Sequence, residues 1–403
     1  MHFSIAREQL LKALKAVSGV VEHKQAQATV LSNALFALIA DKLVITASDQ
    51  DVELTFSVVP QQIYAGGEAL LPFKKIWDIC RAFPDNSIIT IKISAHKATV
   101  VAGKSRFVLA TLVAEQFPKI AHKEEAVTIN IARRVLLELV ERTAFAMAEQ
   151  DVRYFLNGLY FEVNDDQLKA VAADGHRLVM HAVKLTPGAV SATSAISIIV
   201  PRKGVLEILR ALHDGGDSIS LMVSKAHLRL LCGDLELVSS LLEGRFPDYR
   251  MVIPRGGDKV VVGDRAVLKD AFARAATLLS EKVRGIILRL KSGHLKISAN
   301  NTENDEAEDE VEVDYQGEDL EIGFNVRYLI DFLSISSADK IRFTFSNASN
   351  SALVEEQYAS DVPEVEGRGE AQDLATKERR QYSRELAESG MAQGLYVIMP
   401  MRA

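Results

Sequence analysis

The sequence predicts an α+β protein made of three copies of one domain, and three observations carry that reading. A short alternating strand that runs straight into an amphipathic helix occurs three times, at Phe3, Val127 and Val260. After each comes a pair of apolar-alternating runs with polar or glycine residues between them, from Asn33, Asn157 and Arg284. A second helix and a further strand pair then close each copy, so one order of elements recurs every 125–130 residues or so. Solenoid repeats are shorter, roughly 20–50 residues, so each copy here is long enough to bury a core of its own.

The elements follow from local pattern. In FSIAREQLLKALKAVSGV, residues Leu10, Leu11, Leu14 and Val17 mark one helical face. VTINIARRVLLELVERTAFAM and VVVGDRAVLKDAFARAATLL repeat the plan. NALFALIADKLVITASD, NGLYFEVNDDQLKAVAAD and RGIILRLKSGHLKISANN read as hairpins. The second helices lie in LLPFKKIWDICRAF, IIVPRKGVLEILRAL and IGFNVRYLIDFLSI. Pro72 and Pro201 stand at the entrance of two of them, where a missing N–H costs nothing. Domain boundaries are expected at 1–125, 126–255 and 256–403.

Composition excludes several classes. Of 403 residues, 48% are hydrophobic and 25% charged, a globular balance with material for several cores. No apolar run reaches the roughly 20 residues that span a bilayer, so no membrane partner is expected. The N-terminal apolar stretch is interrupted by charges and does not read as a signal peptide. Cys80 and Cys232 are too far apart in sequence to suggest a disulfide framework or a zinc site, which fits a reducing cytoplasm. No phosphate loop, zinc helix or nucleophile elbow is present, so no metal, no cofactor and no catalysis are expected. Asp174 and His176 could form an acid–base pair; the competing reading is a structural turn. A ring-shaped scaffold that never meets DNA is a third reading.

The net charge is −7, yet the six predicted helices sum to +8 and leave −15 elsewhere. Lys12, Arg134 and Arg210 belong to that basic set. If the helices line one surface, that surface attracts phosphates without reading sequence. The acid is concentrated too: Glu303 to Glu321 holds eleven Asp or Glu and no Lys or Arg.

Five strings, QDVRYFLNGLYFE, VAADGHRLVMH, EGRFPDYRMVIP, ANNTENDEAEDEV and YVIMPMR, occur in order on this triplicated chain. Together they resemble the beta subunit of bacterial DNA polymerase III, the sliding-clamp family, over residues 1–357 and 395–402. The resemblance implies a homodimer of three-domain subunits joined head to tail, a ring with helices lining the hole. It implies a non-enzymatic, cytoplasmic subunit that encircles duplex DNA. Its implied partners are the DNA polymerase III alpha subunit, the clamp loader, other polymerases and repair proteins, all bound through short peptides.

The implied peptide pocket comprises Leu156, Gly175, His176, Arg177 and Leu178, with Pro247 and Val252. Asn325, Tyr328 and Ser351 join it. The C-terminal Val397, Ile398, Met399, Pro400, Met401 and Arg402 complete it. Implied DNA contacts are Lys24 and Gln150, with the basic Lys12, Arg134 and Arg210 of the helices. Implied dimer contacts are Phe107 and Leu109 against Leu278 and Leu279, and Lys74 and Lys75 against the acidic stretch containing Glu303 and Glu306. Met251, Val283 and Ala403 depart from the family pattern, where arginine, an aromatic residue and leucine are usual.

Residues 358–394 have no counterpart in the family pattern. Pro363, Gly367 and Gly369 suggest a linker. From about Glu370 to Ser389 helix formers dominate, with Gly390 as a stop. Leu374, Tyr382 and Leu386 make only a thin apolar stripe. A partly helical outer excursion held at both ends is expected.

Overall fold

A computed structural model describes residues 1–21, 30–120, 127–164, 166–191, 196–214, 216–280, 284–303, 305–358, 381–382, 384–385 and 392–401. The first third runs β1 (His2–Ala6), α1 (Arg7–Val17), β2 (Asn33–Ile39), β3 (Lys42–Ser48), β4 (Val52–Val58), β5 (Gln62–Ala65), β6 (Gly67–Pro72), α2 (Phe73–Ala82), β7 (Ile88–Ser94), β8 (Lys97–Ala102) and β9 (Ser105–Ala110). The second runs β10 (Val127–Ala132), α3 (Arg133–Ala144), β11 (Gly158–Val163), β12 (Gln167–Ala173), β13 (Arg177–Lys184), β14 (Ile196–Pro201), α4 (Arg202–Asp214), β15 (Ser218–Val223), β16 (His227–Cys232) and β17 (Leu235–Ser240). The third runs β18 (Lys259–Asp264), α5 (Arg265–Ala276), β19 (Gly285–Lys291), β20 (His294–Asn300), β21 (Glu306–Glu312), β22 (Leu320–Asn325), α6 (Val326–Ile335), β23 (Lys340–Phe345), β24 (Ala352–Gln357) and β25 (Ala392–Ile398). The α+β class and the six helices are as the sequence predicts. Helix α1 buries Leu10, Ala13, Leu14 and Val17; Leu11, expected on that face, is half-buried, and Ala13 takes its place.

The chain forms two compact units: Met1–Leu137 with Gly188–Thr193 and Lys203–Leu242, and Glu138–Pro187 with Ser194–Arg202 and Glu243–Ala403. The first holds a five-stranded sheet, β5-β1-β7-β8-β9, and an eight-stranded one, β10-β15-β16-β17-β4-β3-β2-β6. The second holds an eight-stranded sheet, β14-β11-β12-β13-β25-β24-β23-β18, and a four-stranded one, β21-β20-β19-β22. Each eight-stranded sheet is two smaller sheets from successive thirds of the chain. One is joined by β17 on β4, with Leu235 opposite Phe56. The other is joined by β25 on β13, with Leu178 opposite Val397. Among the described residues no helix is long and apolar enough to cross a membrane.

The repeat extends to single hydrogen bonds. The first residue of α1, α3 and α5 is an arginine whose N–H donates to Ser87, Asp217 and Asp339 carbonyls, each at 2.9 Å. The guanidinium reaches carbonyls at the end of the paired helix: Arg7 to Cys80 and Arg81 at 3.0 and 3.2 Å, Arg133 to Leu212 at 2.7 Å, and Arg265 to Leu333 at 3.1 Å. Carbonyls at a helix C-terminus lack intrahelical donors and carry the negative end of the dipole, so a cation there stabilises that helix and ties it to the start of its partner.

This corrects the charge sum. Three of the arginines counted as basic surface serve these carbonyls. Arg142 is buried against Glu356, and Lys203 is paired with Asp49. Formal charge read along a helix overstates its attraction for phosphates, because it ignores partners supplied from elsewhere in the fold.

Arg142 joins α3 to β24. It pairs with Glu138 one turn back on α3 and with both oxygens of Glu356 on β24, at 2.8 Å. Glu356 also accepts from the Ser336 hydroxyl at 2.6 Å, the Ser337 N–H at 2.9 Å and the Tyr358 hydroxyl at 2.9 Å. Burial alone would raise the Glu356 carboxyl, but Arg142 and these donors outweigh it and hold it at about 2.

Of the predicted extra segment, Gln381–Tyr382 and Arg384–Glu385 are helical, with Arg384 lying 3.7 Å from Asp339. The expected linker residues Pro363, Gly367 and Gly369, and Leu374, Leu386 and Gly390, lie outside the described residues, as do Lys24, Val283, Arg402 and Ala403.

Candidate functional site

The turn before β13 is built around Asp174. One carboxylate oxygen accepts from the N–H groups of His176 and Arg177 at 2.9 and 3.0 Å; the other accepts from Arg177 Nε at 3.0 Å. The Asp174–His176 acid–base reading therefore fails: both oxygens hold the turn, and neither orients the imidazole. Arg177 also donates to Asp331 at 2.8 Å and to the Phe145 carbonyl at 2.8 Å, and its guanidinium lies 4.5 Å from the centre of the Tyr328 ring. Burial opposes its charge, but Asp331 and Asp174 outweigh that and keep it protonated.

The C-terminal strand is pinned beside this turn. The Tyr396 ring stacks on Phe332 at 4.9 Å, and its hydroxyl donates to the Tyr328 carbonyl at 3.0 Å. Met399 N–H donates to the His176 carbonyl and Met401 N–H to the Gly323 carbonyl, both at 2.8 Å.

Between these pieces lies an open apolar cavity of about 240 Å³. Of the sequence-predicted pocket residues, Leu156, Gly175, Arg177 and Leu178 line it, with Pro247, Val252, Val397 and Met399. His176, Asn325, Tyr328, Ser351, Ile398, Pro400 and Met401 do not. Ile398 is fully buried on the opposite strand face. Asn325 caps α6 by accepting from Arg327 N–H at 3.0 Å. Tyr328 supports Arg177, and Met401 packs beside Gly285.

Five lining residues were missed: Arg153, Phe155, Ala173, Phe246 and Tyr249. Phe246 and Tyr249 flank Pro247 in FPDY, and both are buried aromatics, so the string itself carried a signal. Arg153 had none. It is aimed by a turn in which Gln150 adopts a left-handed φ of 57°. Asp151 then grips its guanidinium at 2.8 and 3.0 Å and is itself pulled down to about 2, chiefly by that contact.

Ligand pockets usually enclose roughly 300–1,000 Å³. This one is smaller, apolar and open, which suits one or two apolar side chains of a peptide better than a whole small molecule. It presents no nucleophile with an adjacent base.

The other predicted residues are dispersed. Lys12 is exposed over the Phe56 ring at 5.8 Å. Arg134 is exposed, and Arg210 sits against Glu207 at 2.8 Å. Phe107 is 39% exposed on β9, whereas Leu109 is buried, so only the former offers surface. Lys74, Lys75, Glu303 and Glu306 are exposed, and Leu278 and Leu279 half-buried.

Comparison with known proteins gives one family throughout. Residues 1–121, 130–248 and 250–367 match the N-terminal, central and C-terminal domains of the DNA polymerase III beta subunit. The beta sliding clamp of Pseudomonas aeruginosa is 46% identical over 361 residues, covering 90% of this chain and 97% of that protein. That of Pseudomonas putida is 45% identical with the same coverage. A crystal structure of the Pseudomonas aeruginosa sliding clamp bound to griselimycin superposes with a TM-score of 0.86 at 42% identity, covering 100% of each chain.

Proposed function

Because this chain belongs to the DNA polymerase III beta-subunit family, the non-catalytic beta sliding clamps, we propose that two copies close head to tail into a ring around duplex DNA. In this reading each copy contributes three domains, 1–125, 126–255 and 256–403. Helices face the hole, with Lys12, Arg134, Arg210 and Gln150 nearest the phosphates. The pocket around Arg177 takes short apolar peptides from the DNA polymerase III alpha subunit, the clamp loader, other polymerases and repair proteins.

One observation supports ring closure above the rest. Strands β9, β17 and β25 occupy the same place in the three thirds, as do β4, β13 and β21. Within the chain β17 pairs with β4 and β25 with β13. The remaining partners, β9 and β21, are both edge strands. An unpaired edge is a template for another chain. Strand β21 reads EAEDEVE, while β9 and its turn carry Lys104 and Arg106, so the two edges are complementary in charge. A head-to-tail contact of this kind closes into a ring when the rotation fits.

Phe107→Asp places a charge in that edge. Sedimentation at micromolar concentration is expected to show a dimer for the unaltered protein and a 44.3 kDa monomer for the variant. A dimer that survives the substitution contradicts the β9–β21 contact.

A further inference from the structure

We infer that Gly394, held against the buried His181 ring, sets the register of the C-terminal strand and so positions the peptide pocket. The inference rests on reading that cavity as the peptide site. The chain has a register problem here that its tight hairpins do not. Ile39 pairs with Lys42, Ala102 with Ser105, Cys232 with Leu235 and Lys291 with His294, so in each a two-residue turn fixes the alignment. Residues 358–391 separate β24 from β25, and a connection of that length fixes nothing. The two strands share only three register pairs, Ala352 to Val354 against Ile398 to Tyr396.

A slip by one residue would turn the buried Tyr396 and Ile398 to the wrong face. A slip by two would keep the faces and move Met399 by roughly 6.8 Å, out of the cavity. Something must exclude the second error. Strand β25 pairs with β13 from Ala392 to Ile398, and this places Gly394 opposite His181. A Cβ on Gly394 would lie 2.7 Å from His181 Nδ1. The ring has nowhere to retreat, since the residue is 5% exposed. The cavity beside it holds only about 20 Å³. Burial and the nearby Arg142 keep the imidazole neutral, pushed down to about 3, so it does not swing toward water as a cation. Gly394 is the only glycine in AQGLYVI. A two-residue slip puts Ala392 or Tyr396 opposite His181, and either brings a Cβ into the ring. Tyr396 then locks the permitted register through its hydroxyl on Tyr328 and its stack on Phe332.

The test uses the full-length dimer with Gly394→Ala, His181→Ala and the double variant. One readout is affinity for a peptide from the alpha subunit. The other is independent of the pocket: disulfide yield between Met180→Cys and Leu395→Cys, which are register partners. Gly394→Ala is expected to weaken the peptide at least tenfold and to lower the disulfide yield. His181→Ala alone is expected to lower the disulfide yield as well, because without the ring the slipped registers are no longer excluded, and H181A/G394A should give the yield of H181A and not that of G394A. Should G394A not fold, H181A carries the test, and its lowered disulfide yield supports the inference. Unchanged affinity and cross-linking in G394A overturn it, as does unchanged cross-linking in H181A. An unaltered protein that binds no peptide sinks the pocket reading instead, while the disulfide arm still decides the register.

Discussion

Replacing Arg142 by alanine is expected to cost about 3–5 kcal/mol of stability, because it leaves Glu356 buried without its cation. Urea unfolding at pH 7 measures the loss. A variant that replaces the whole cluster with apolar residues, E138L/R142M/E356L, should lose much less, since neither Glu138 nor Glu356 is then left buried without Arg142. The sign of the pH dependence follows from the lowered carboxyl. Glu356 sits at about 2 in the folded protein against a reference of 4.5, so its contribution is complete above the unfolded value and fades as pH falls from about 4.5 toward 2. The unaltered protein should lose stability across that window, and R142A should have lost that part already. Equal stability of R142A and the unaltered protein at pH 7 would remove the pair from the account of what holds α3 to β24.

The second large effect concerns the C-terminus. Deleting residues 399–403 removes Met399 from the cavity wall and the N–H groups of Met399 and Met401 that tie the strand to His176 and Gly323. Affinity for an alpha-subunit peptide is expected to fall at least 100-fold, about 2.7 kcal/mol. The dimer should persist, because β9 and β21 are untouched. Isothermal titration and sedimentation on one preparation measure both. Retained peptide affinity would move the binding site elsewhere.

Much of this was legible in the sequence for a physical reason. Apolar periodicity records which face of an element is buried, so the three-copy plan and its helices could be read from positions such as Leu10, Leu14 and Val17. Gly175, Arg177 and Leu178 in DGHRL were also readable as pocket residues, and of the two readings of Asp174 with His176 the structural turn is the one the hydrogen bonds favour. Three things were hidden. The joining of sheets across repeats depends on which edge strands meet, and nothing in β17 or β25 alone names its partner. Arg7, Arg133 and Arg265 look like solvated helix charges until the carbonyls at the ends of α2, α4 and α6 arrive beside them. Arg153 reaches the cavity only because Gln150 takes a left-handed turn and Asp151 grips the guanidinium. The fit between Gly394 and His181 was equally silent, since it joins residues from two different repeats.

The central claim is topological: the protein holds DNA by enclosing it. Binding should be independent of sequence and its direct contacts weak and salt-sensitive. The most direct measurement loads the protein onto closed circular DNA with its clamp loader, isolates the complex in high salt, and cuts the circle once. The account predicts that the protein stays on the circle and runs off after linearisation, whatever the sequence near the cut. Equal retention on circle and line, or retention that follows one duplex sequence, would contradict it.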